Sequence, residues 1–380
     1  MALPWSRVLN STIKNYIRER EVNVLRNRKL TALLKKRGRL SFGWDGIKMD
    51  WKVKYKRVRL TPFADGDNLT FDRKDRHKTA EVDWRGYALT DSMTKGEFLQ
   101  NRGKEAIIKL YGTLSADLMD DAEEFFGEEF YLNGNLSVNA KRIHGLETFG
   151  AATANAGNGA GTPTASYAGL SCVPGFYGGT WTSGSLPAWP NGYGDPQYDF
   201  WSPIIVDYGD TLFPGNTITA TGDPNSGGTN AAPNNTWQNN CIEAVAFGII
   251  KSKKSKSARG MLDVIFLNDE MYRTYLTQSR QKERIMVDRG QGSALVQLGF
   301  TDVINQDGVD LTWEYGTPSG VGYGMNIDMM EVRSMQDQVF VPEGPDFDIG
   351  SKSWRFSIDM YGNVCYNPKF FVFFKQLTAA

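Results

Sequence analysis

Residues 46–91 carry the pattern that most narrows what this chain can fold into. The stretch WKVKYKRVRL at 51–60 alternates apolar and basic side chains, and TAEVDWRGYALTD at 79–91 alternates apolar and charged ones. A period of two is typical of β-strands, and two such runs separated by turn residues predict a β-hairpin. The hairpin is long and highly charged around its tip, so it cannot bury much of itself. We therefore expect it to lie against another surface.

The basic side chains of the outgoing strand suit two kinds of partner. Lys52, Lys54 and Lys56 share one face of the strand, with aromatic residues between them. Aromatic residues interleaved with bases are typical of surfaces that bind nucleic acid. Glu81 and Asp83 on the returning strand offer the same lysines a protein partner, through cross-strand ion pairs.

Composition weighs against a dedicated nucleic-acid binder. The 380 residues carry 43 basic and 43 acidic side chains, whereas such binders draw much of their affinity from excess positive charge. The charges are separated along the chain, because residues 1–60 are rich in Lys and Arg while 117–129 read DLMDDAEEFFGEE. This separation suits a polymer in which one chain's basic arm lies on a neighbour's acidic face, and it also suits a clamp within one chain.

The sequence offers no motif that supports catalysis. Cys172, Cys241 and Cys365 are widely spaced, which argues against a disulfide framework and a structural zinc site. His77 and His144 are the only histidines, and neither has a further ligand at metal-binding spacing. We therefore expect no enzyme, no catalytic residue, no cofactor and no metal.

No segment of the sequence predicts a membrane association. The opening MALPWSRVLN lacks the apolar core of a signal peptide. The longest apolar run, AVAFGII at 244–250, is far too short to span a bilayer. Together with the scattered cysteines, this predicts a protein made and used in a reducing cytoplasm.

Residues 94–132 predict one helix about three times the usual length. Thr94 and Glu97 have the spacing of a capping box at its start, and NGN at 133–135 marks its end. Its surface is acidic near the C-terminal end. Such a helix is typical of a structural spine. Its apolar stripe, at spacings of three and four, consists of Ile107, Tyr111, Leu114, Leu118, Ala122 and Phe125.

The regions on either side predict a basic arm and a mixed domain. Residues 8–40 are basic, with apolar residues at helical spacing, and they fit equally an arm packed on its own chain or one that reaches a neighbour. Residues 149–235 are rich in Gly, Asn, Ser, Thr and Pro with scattered aromatics, which indicates ordered loops. The helices and strands that follow predict an α/β or α+β domain. The two apolar groups of the arm are Leu9, Ile13 and Ile17, then Leu30, Leu33 and Leu34.

Four stretches, in this order, resemble parts of one protein family. NRKLTALLKKRGRL resembles the arm before an extended loop, and DWRGYALTDSMTKGEFLQNRGKEAIIKLY resembles the passage from that loop into a spine helix. IHGLETF resembles the exit from that helix, and FVPEGPDFDIGSKSWRFSIDMYGNVCYNPKFFVFF resembles the closing strands of a peripheral domain. The family is the major capsid (coat) proteins of tailed bacteriophages, with the Hong Kong phage-type capsid fold.

The resemblance implies an α+β fold with four parts. These are an N-terminal arm at 1–45, an extended β-hairpin loop at 46–93, a peripheral domain with the spine helix at 94–148 and 321–380, and an α/β axial domain with long Gly/Asn/Thr-rich loops at 149–320. It also implies a partner set. The chain would assemble with itself into pentamers and hexamers of an icosahedral shell, in the virion, after assembly in the host bacterial cytoplasm. Scaffold, portal and decoration proteins would be further partners. Double-stranded DNA would be enclosed rather than specifically bound. Because the arm is short, we expect no propeptide cleavage.

The interface expected from this resemblance joins the loop of one chain to the spine of a neighbour. Two alternatives stay open at this stage: an encapsulin-like compartment that holds enzyme cargo, and a nucleic-acid-binding protein that uses the basic arm and hairpin. The candidate interface residues are Trp51, Lys52, Lys54, Lys56, Arg57 and Arg59 on the strand, Arg73, Lys74 and Arg76 near the tip, and Asp120, Asp121, Glu124 and Glu128 on the spine.

Overall fold

A computed structural model gives the architecture of the chain. It describes residues 28–55, 62–68, 71, 75–100, 117–118, 120–122, 124–155, 157, 159–177, 199–210, 212–213, 236–254, 261–282, 294–300 and 302–377. Besides the helical residues at 117–118, 120–122 and 124–129, the α-helices within these ranges are α1 Lys29–Lys36, α2 Lys95–Gln100, α3 Trp237–Lys254, α4 Asp269–Lys282 and α5 Ala294–Gln297. The strands are β1 Leu40–Ser41, β2 Lys48–Lys54, β3 His77–Asp83, β4 Arg85–Thr94, β5 Ala152–Thr153, β6 Ala160–Pro163, β7 Ser166–Tyr167, β8 Leu170–Ser171, β9 Ile204–Asp207, β10 Val264–Leu267, β11 Ile304–Gln306, β12 Val309–Trp313, β13 Gly322–Met325, β14 Met330–Ser334, β15 Val341–Asp348, β16 Ser353–Tyr366 and β17 Val372–Lys375.

A five-stranded sheet is organised around the long strand β16. β4 pairs antiparallel with β16 along one side, β15 and β14 pair antiparallel along the other, and β1 extends β14 in parallel. Tyr87 and Leu89 of β4 lie opposite Met360 and Ile358 of β16, so their side chains share one face. That face is covered by the described helical residues between 117 and 129, which we call the spine segment.

The ends of the predicted spine helix are helical, and its middle, 101–116, lies outside the described residues. The capping box at its start is confirmed. The Thr94 backbone N–H donates to Glu97 Oε2 at 3.0 Å, and the Glu97 N–H donates to Thr94 Oγ1 at 3.3 Å. The helix ends at residue 129, a few residues before the predicted end. Glycine at position 145 lets the chain pass close to the end of this helix, because a Cβ there would lie 2.5 Å from the backbone of Leu132.

An eight-stranded sheet separates two hydrophobic cores. Its strand order is β11-β12-β10-β13-β17-β9-β6-β5. Its central strands are apolar on both faces, as VIFL at 264–267 illustrates, because each face is covered. Ile265 and Leu267 pack with α3 and α4, whereas Val264 and Phe266 pack with the core that contains the spine segment. The predicted boundary between the axial domain, which ends at 320, and the peripheral domain, which resumes at 321, runs through this sheet. β13 and β17 pair with strands from 149–320.

The predicted hairpin differs from the observed one in its returning strand. Only β3 pairs with β2, in a two-stranded sheet, and β4 instead pairs with β16. The chain changes sheets at Trp84, whose indole N–H donates to the carbonyl of Gly46 at 2.9 Å. The alternation at 79–91 therefore extends over strands of two different sheets. It is continuous in the sequence because both sheets present one apolar face to the same core.

The C-terminal part of the basic arm packs on its own chain. Leu30, Leu33 and Leu34 are buried in the main core, which confirms their predicted apolar face. Gly38 takes φ 62°, a left-handed conformation that suits glycine after a helix. Residues 29–41 therefore pack on their own chain, which is one of the two arrangements that the sequence allowed. The first apolar group, at 9–17, lies outside the described residues. Among the helices described, none is long and apolar enough to cross a bilayer.

Candidate interface surfaces

The hairpin base presents a basic face to solvent. Lys52 and Lys54 are both exposed on β2, whereas Met49 and Val53 are buried on the opposite face of the strand. Neither lysine lies opposite Glu81 or Asp83, since Lys52 lies opposite Thr79 and Lys54 lies opposite His77.

Lys48 takes the cross-strand role predicted for the later lysines. Its Nζ lies 3.8 Å from Glu81 Oε2 and 3.7 Å from Asp83 Oδ1. The register is set by apolar pairs such as Met49 with Val82, which must both reach the core. Sequence reasoning missed Lys48 because alternation gives the face of a residue but not its cross-strand neighbour.

The aromatic residues of the strand face their own chain. The Trp51 ring lies 6.2 Å from that of Tyr167 and 6.4 Å from that of Trp201, and the Tyr55 ring lies 5.9 Å from that of Phe200. Tyr55 is buried and Trp51 is partly buried. These packed rings are therefore not accessible for base stacking. Trp51 lies on the opposite face of the strand from the exposed lysines.

The remaining loop candidates divide into one described residue and several that are not. Arg76 is exposed next to the start of β3. The candidates outside the described residues are Lys56, Arg57, Arg59, Arg73 and Lys74.

The spine segment carries exposed acids along one face. Asp117, Asp121, Glu124 and Glu128 recur at spacings of four, three and four, which aligns them on a helix, and all four are exposed. We call this set the acidic stripe. Asp120 is also exposed and lies at the edge of this face, three residues after Asp117 and four before Glu124. The Tyr315 hydroxyl donates to Glu124 Oε1 at 2.9 Å, which attaches the stripe to the turn after β12.

A cavity of about 310 Å³ adjoins this stripe, between the spine segment and the five-stranded sheet. Phe125 stands at its rim with 57% of its surface exposed, although the sequence placed this residue on the buried stripe. Phe126 takes the buried position instead. The other lining residues are Tyr87, Ala88, Leu89, Ala122, Glu129, Arg142, Phe340, Ile358 and Met360.

Polar groups close the inner end of this cavity. The Tyr87 hydroxyl donates to Glu129 Oε2 at 2.6 Å and accepts from the backbone N–H of Ile143 at 2.7 Å. Arg142 Nε lies 3.6 Å from Glu129 Oε1. Burial raises the pKa of both Tyr87 and Glu129 above their usual values. The bonds link the spine segment to β4 and to the segment that leaves the helix.

Buried polar contacts of Lys29 anchor the arm where it meets the eight-stranded sheet. The Lys29 backbone N–H donates to Glu314 Oε2 at 3.1 Å, and Lys29 Nζ donates to Thr312 Oγ1 at 2.8 Å and to the Trp313 carbonyl at 2.7 Å. Glu314 thus caps α1 from a distant part of the chain, since Arg28 supplies no side-chain cap. Burial raises the pKa of Glu314 to about 7 and lowers that of Lys29.

The three cysteines and His144 are enclosed, whereas His77 is exposed at the start of β3. All three cysteines are buried, and burial raises the pKa of Cys365 to about 12, so its thiol stays protonated. Burial lowers the pKa of His144 to about 4. Across the described ranges, no cluster of three His, Cys, Asp or Glu side chains could hold a metal ion.

The fold is similar to that of solved capsid structures. The capsid asymmetric unit of Cyanophage A-1(L) is similar in fold, at 13% identity and a TM-score of 0.55, over 90% of this chain and 91% of that one. The capsid of the empty GTA particle is similar at 8% identity and a TM-score of 0.51, over 90% and 96%. The capsid of the native GTA particle matches at 10% identity and a TM-score of 0.51, over 90% and 89%. No family model and no curated protein sequence matches the chain.

At these identities the likeness is one of fold. It extends over nine-tenths of both chains, so it concerns the arrangement of parts as a whole. The chain therefore has the α+β, Hong Kong phage-type fold of tailed-phage major capsid proteins, as the sequence predicted.

Proposed function

We propose that this protein is the major capsid protein of a tailed bacteriophage. Copies of it assemble as pentamers and hexamers into an icosahedral shell that encloses double-stranded DNA in the virion. The observation that carries the proposal is the likeness in fold to capsid chains over about 90% of both partners. Its role is structural rather than enzymatic, and its principal partner is a second copy of itself.

The exposed charges support a loop-to-spine interface between neighbouring copies. Lys52 and Lys54 face solvent on the hairpin, and Asp121, Glu124 and Glu128 face solvent on the spine segment. Opposite charges on two surfaces favour one register and one partner. The packing of Trp51 and Tyr55 against their own chain argues against the nucleic-acid-binding alternative. The four-part division stays part of this proposal.

Electron microscopy of the purified protein tests the shell. We expect closed particles tens of nanometres across that contain nucleic acid. A small species that binds DNA with steep salt dependence would contradict the proposal. Particles filled with an enzyme would instead favour the encapsulin-like compartment.

The interface is tested by the double variant Asp121→Lys with Glu124→Lys. We expect a folded chain that no longer forms shells, because the lysines of the loop would meet like charges. Glu343→Lys with Asp346→Lys is a matched control, since both acids are exposed on β15 and the change in charge is the same. Normal shells from the spine variant, scored by sedimentation, would refute loop-to-spine pairing.

A further inference from the structure

The strand β4 forms an open edge of the five-stranded sheet. Its register with β16 is unbroken from Arg85 to Thr94, and no other described strand pairs with it. The backbone N–H of Lys95 donates to the carbonyl of Lys352, which continues this ladder. Because hydrogen-bonded pairs alternate along an antiparallel ladder, the odd-numbered residues of β4 bond to β16. The even-numbered residues direct their N–H and C=O groups outwards.

Three consecutive outward positions of this edge are free. At the end of the strand, the outward N–H of Ser92 donates to Asp91 Oδ1 at 2.7 Å, and that of Thr94 donates to Glu97 Oε2 at 3.0 Å. The outward backbone groups before them make no hydrogen bond to a described residue, and the residues that carry them are exposed. These residues are Gly86, Ala88 and Thr90.

The opposite edge of the same sheet is protected against pairing. β15 carries Pro342 and Pro345, and its ladder is interrupted by a bulge between Glu343 and Asp346. Proline, charged residues and bulges on an edge strand prevent it from pairing with another chain. Residues 86–90 of β4 read GYALT, with no proline and no charge. The edge of β4 is therefore suited to receive a further strand.

The charges at the two ends of the free stretch indicate that this strand is a second copy of β4. Arg85 and Asp91 form no ion pair with a described residue, and about 20 Å of strand separates them. In an antiparallel pair centred on Ala88, Arg85 lies directly opposite Asp91 of the second copy, and the reverse pair forms at the other end. This register also places Gly86 opposite Thr90 of the second copy, so the free positions bond to one another.

An exposed aromatic ring beside the edge supports the same contact. Phe125 of the spine segment lines a cavity together with Ala88 and Leu89 of β4, and 57% of its surface is exposed. A two-fold axis perpendicular to the sheet keeps the two spine segments on the same side of it. The second copy would therefore cover this ring, and its Leu89 would lie opposite Tyr87.

We propose that β4 pairs antiparallel with β4 of a second copy around a two-fold axis at Ala88. The two five-stranded sheets then form one continuous sheet. This surface is distinct from the loop-to-spine interface proposed above, because it uses neither the lysines of β2 nor the acidic stripe. The pairing goes beyond the proposed function, since two copies can pair without a complete shell.

Disulfide formation in the full chain tests the pairing. All native cysteines are buried, so an added thiol reports its own neighbour. Ala88→Cys places two thiols at the axis, where the opposed Cα atoms would lie about 5.5 Å apart, within the reach of a disulfide. Thr90→Cys is the matched control. It is exposed on the same face of the same strand, but its counterpart would lie about 13 Å further along.

We expect Ala88→Cys to form disulfide-linked dimers at least about tenfold faster than Thr90→Cys under mild oxidation, as measured by non-reducing electrophoresis. Equal rates would show that the chains meet only by random encounter, and a faster reaction of Thr90→Cys would show another register. Either result would overturn the proposal. So would a disulfide from residue 88 to a different protein.

A charge exchange tests the register independently of the axis. In the Ala88→Cys chain, Arg85→Asp places like charges opposite each other and should slow the reaction. Adding Asp91→Arg restores opposite charges and should recover the rate. A rate that Arg85→Asp leaves unchanged would refute this register. Shells built from chains that do not cross-link would contradict the pairing alone, and cross-linked dimers that build no shell would contradict the proposed function alone.

Discussion

The arm helix α1 and the hairpin strand β2 have similar basic sequences but different surroundings. Lys29 of α1 is buried and bonded to Glu314, and Arg37 and Arg39 further along the arm pair with acids of the same chain. Lys52 of β2 faces solvent across from a threonine. One basic segment is thus held by its own chain, and the other presents its charge outwards.

The difference shows that apolar spacing, rather than charge, decides where a basic segment lies. Leu30, Leu33 and Leu34 occupy adjacent positions of a helix and bury most of its surface, which draws Lys29 into the interior with them. On β2 the apolar residues take every second position, so the lysines between them must point away from the core.

Lys29→Met should cost the most stability. Met cannot replace the bonds of the buried Lys29 ammonium to Thr312 Oγ1 and to the Trp313 carbonyl, and each buried acceptor left without its donor typically costs about 1–3 kcal/mol. Lys35→Met is the matched control, because Lys35 lies on the same helix and is exposed. Its expected change is within about 0.5 kcal/mol. Chemical denaturation of the unassembled chains measures both values.

The double variant Lys29→Met with Glu314→Gln tests whether the two charges act together. The amide still accepts from the backbone N–H of Lys29 and carries no charge, so the double variant should lose less stability than the sum of the two single variants. If the double variant were as unstable as the sum of its single changes, the two side chains would not act as a pair.

The sequence identified the fold but not this pair. The apolar spacing of Leu30, Leu33 and Leu34 predicted the helix and its buried face, and the capping box at Thr94 predicted where the spine begins. Glu314 caps a helix 285 positions earlier, and nothing local in VDLTWEY signals that contact. Likewise, alternation predicted the exposed face of Lys52, whereas the register depended on which apolar pairs reach the core.

Stability should depend on pH through Glu314. Its pKa rises from 4.5 to about 7 in the folded chain, so the folded state binds this proton more tightly than the unfolded state. The stabilising contribution is complete below pH 4.5 and is lost as the pH rises through about 7. The loss amounts to about 3.5 kcal/mol, because each pH unit of pKa difference corresponds to about 1.4 kcal/mol.

Glu314→Gln isolates this contribution, since an amide of the same shape does not titrate. The titratable groups near Glu314 are unchanged in both chains. They are Arg28, Lys29, Asp302 and Tyr131. Between pH 5 and 8, the free energy of unfolding of the unmodified chain should fall relative to that of the variant. A constant difference between the two chains across this range would show that Glu314 has an ordinary pKa.

The smallest effect is expected at Lys48, the one lysine of β2 with acids across the hairpin. Its side chain is 52% exposed, and exposed ion pairs contribute little because water and salt screen them. Lys48→Ala should lower the free energy of unfolding by about 0.2–1 kcal/mol at low salt and by less at high salt. Lys52→Ala, opposite Thr79, should show no salt dependence at all. Equal salt-dependent losses from both variants would mean that the acids of β3 interact with all the exposed lysines of β2. The outward charge of the hairpin would then be balanced within its own chain.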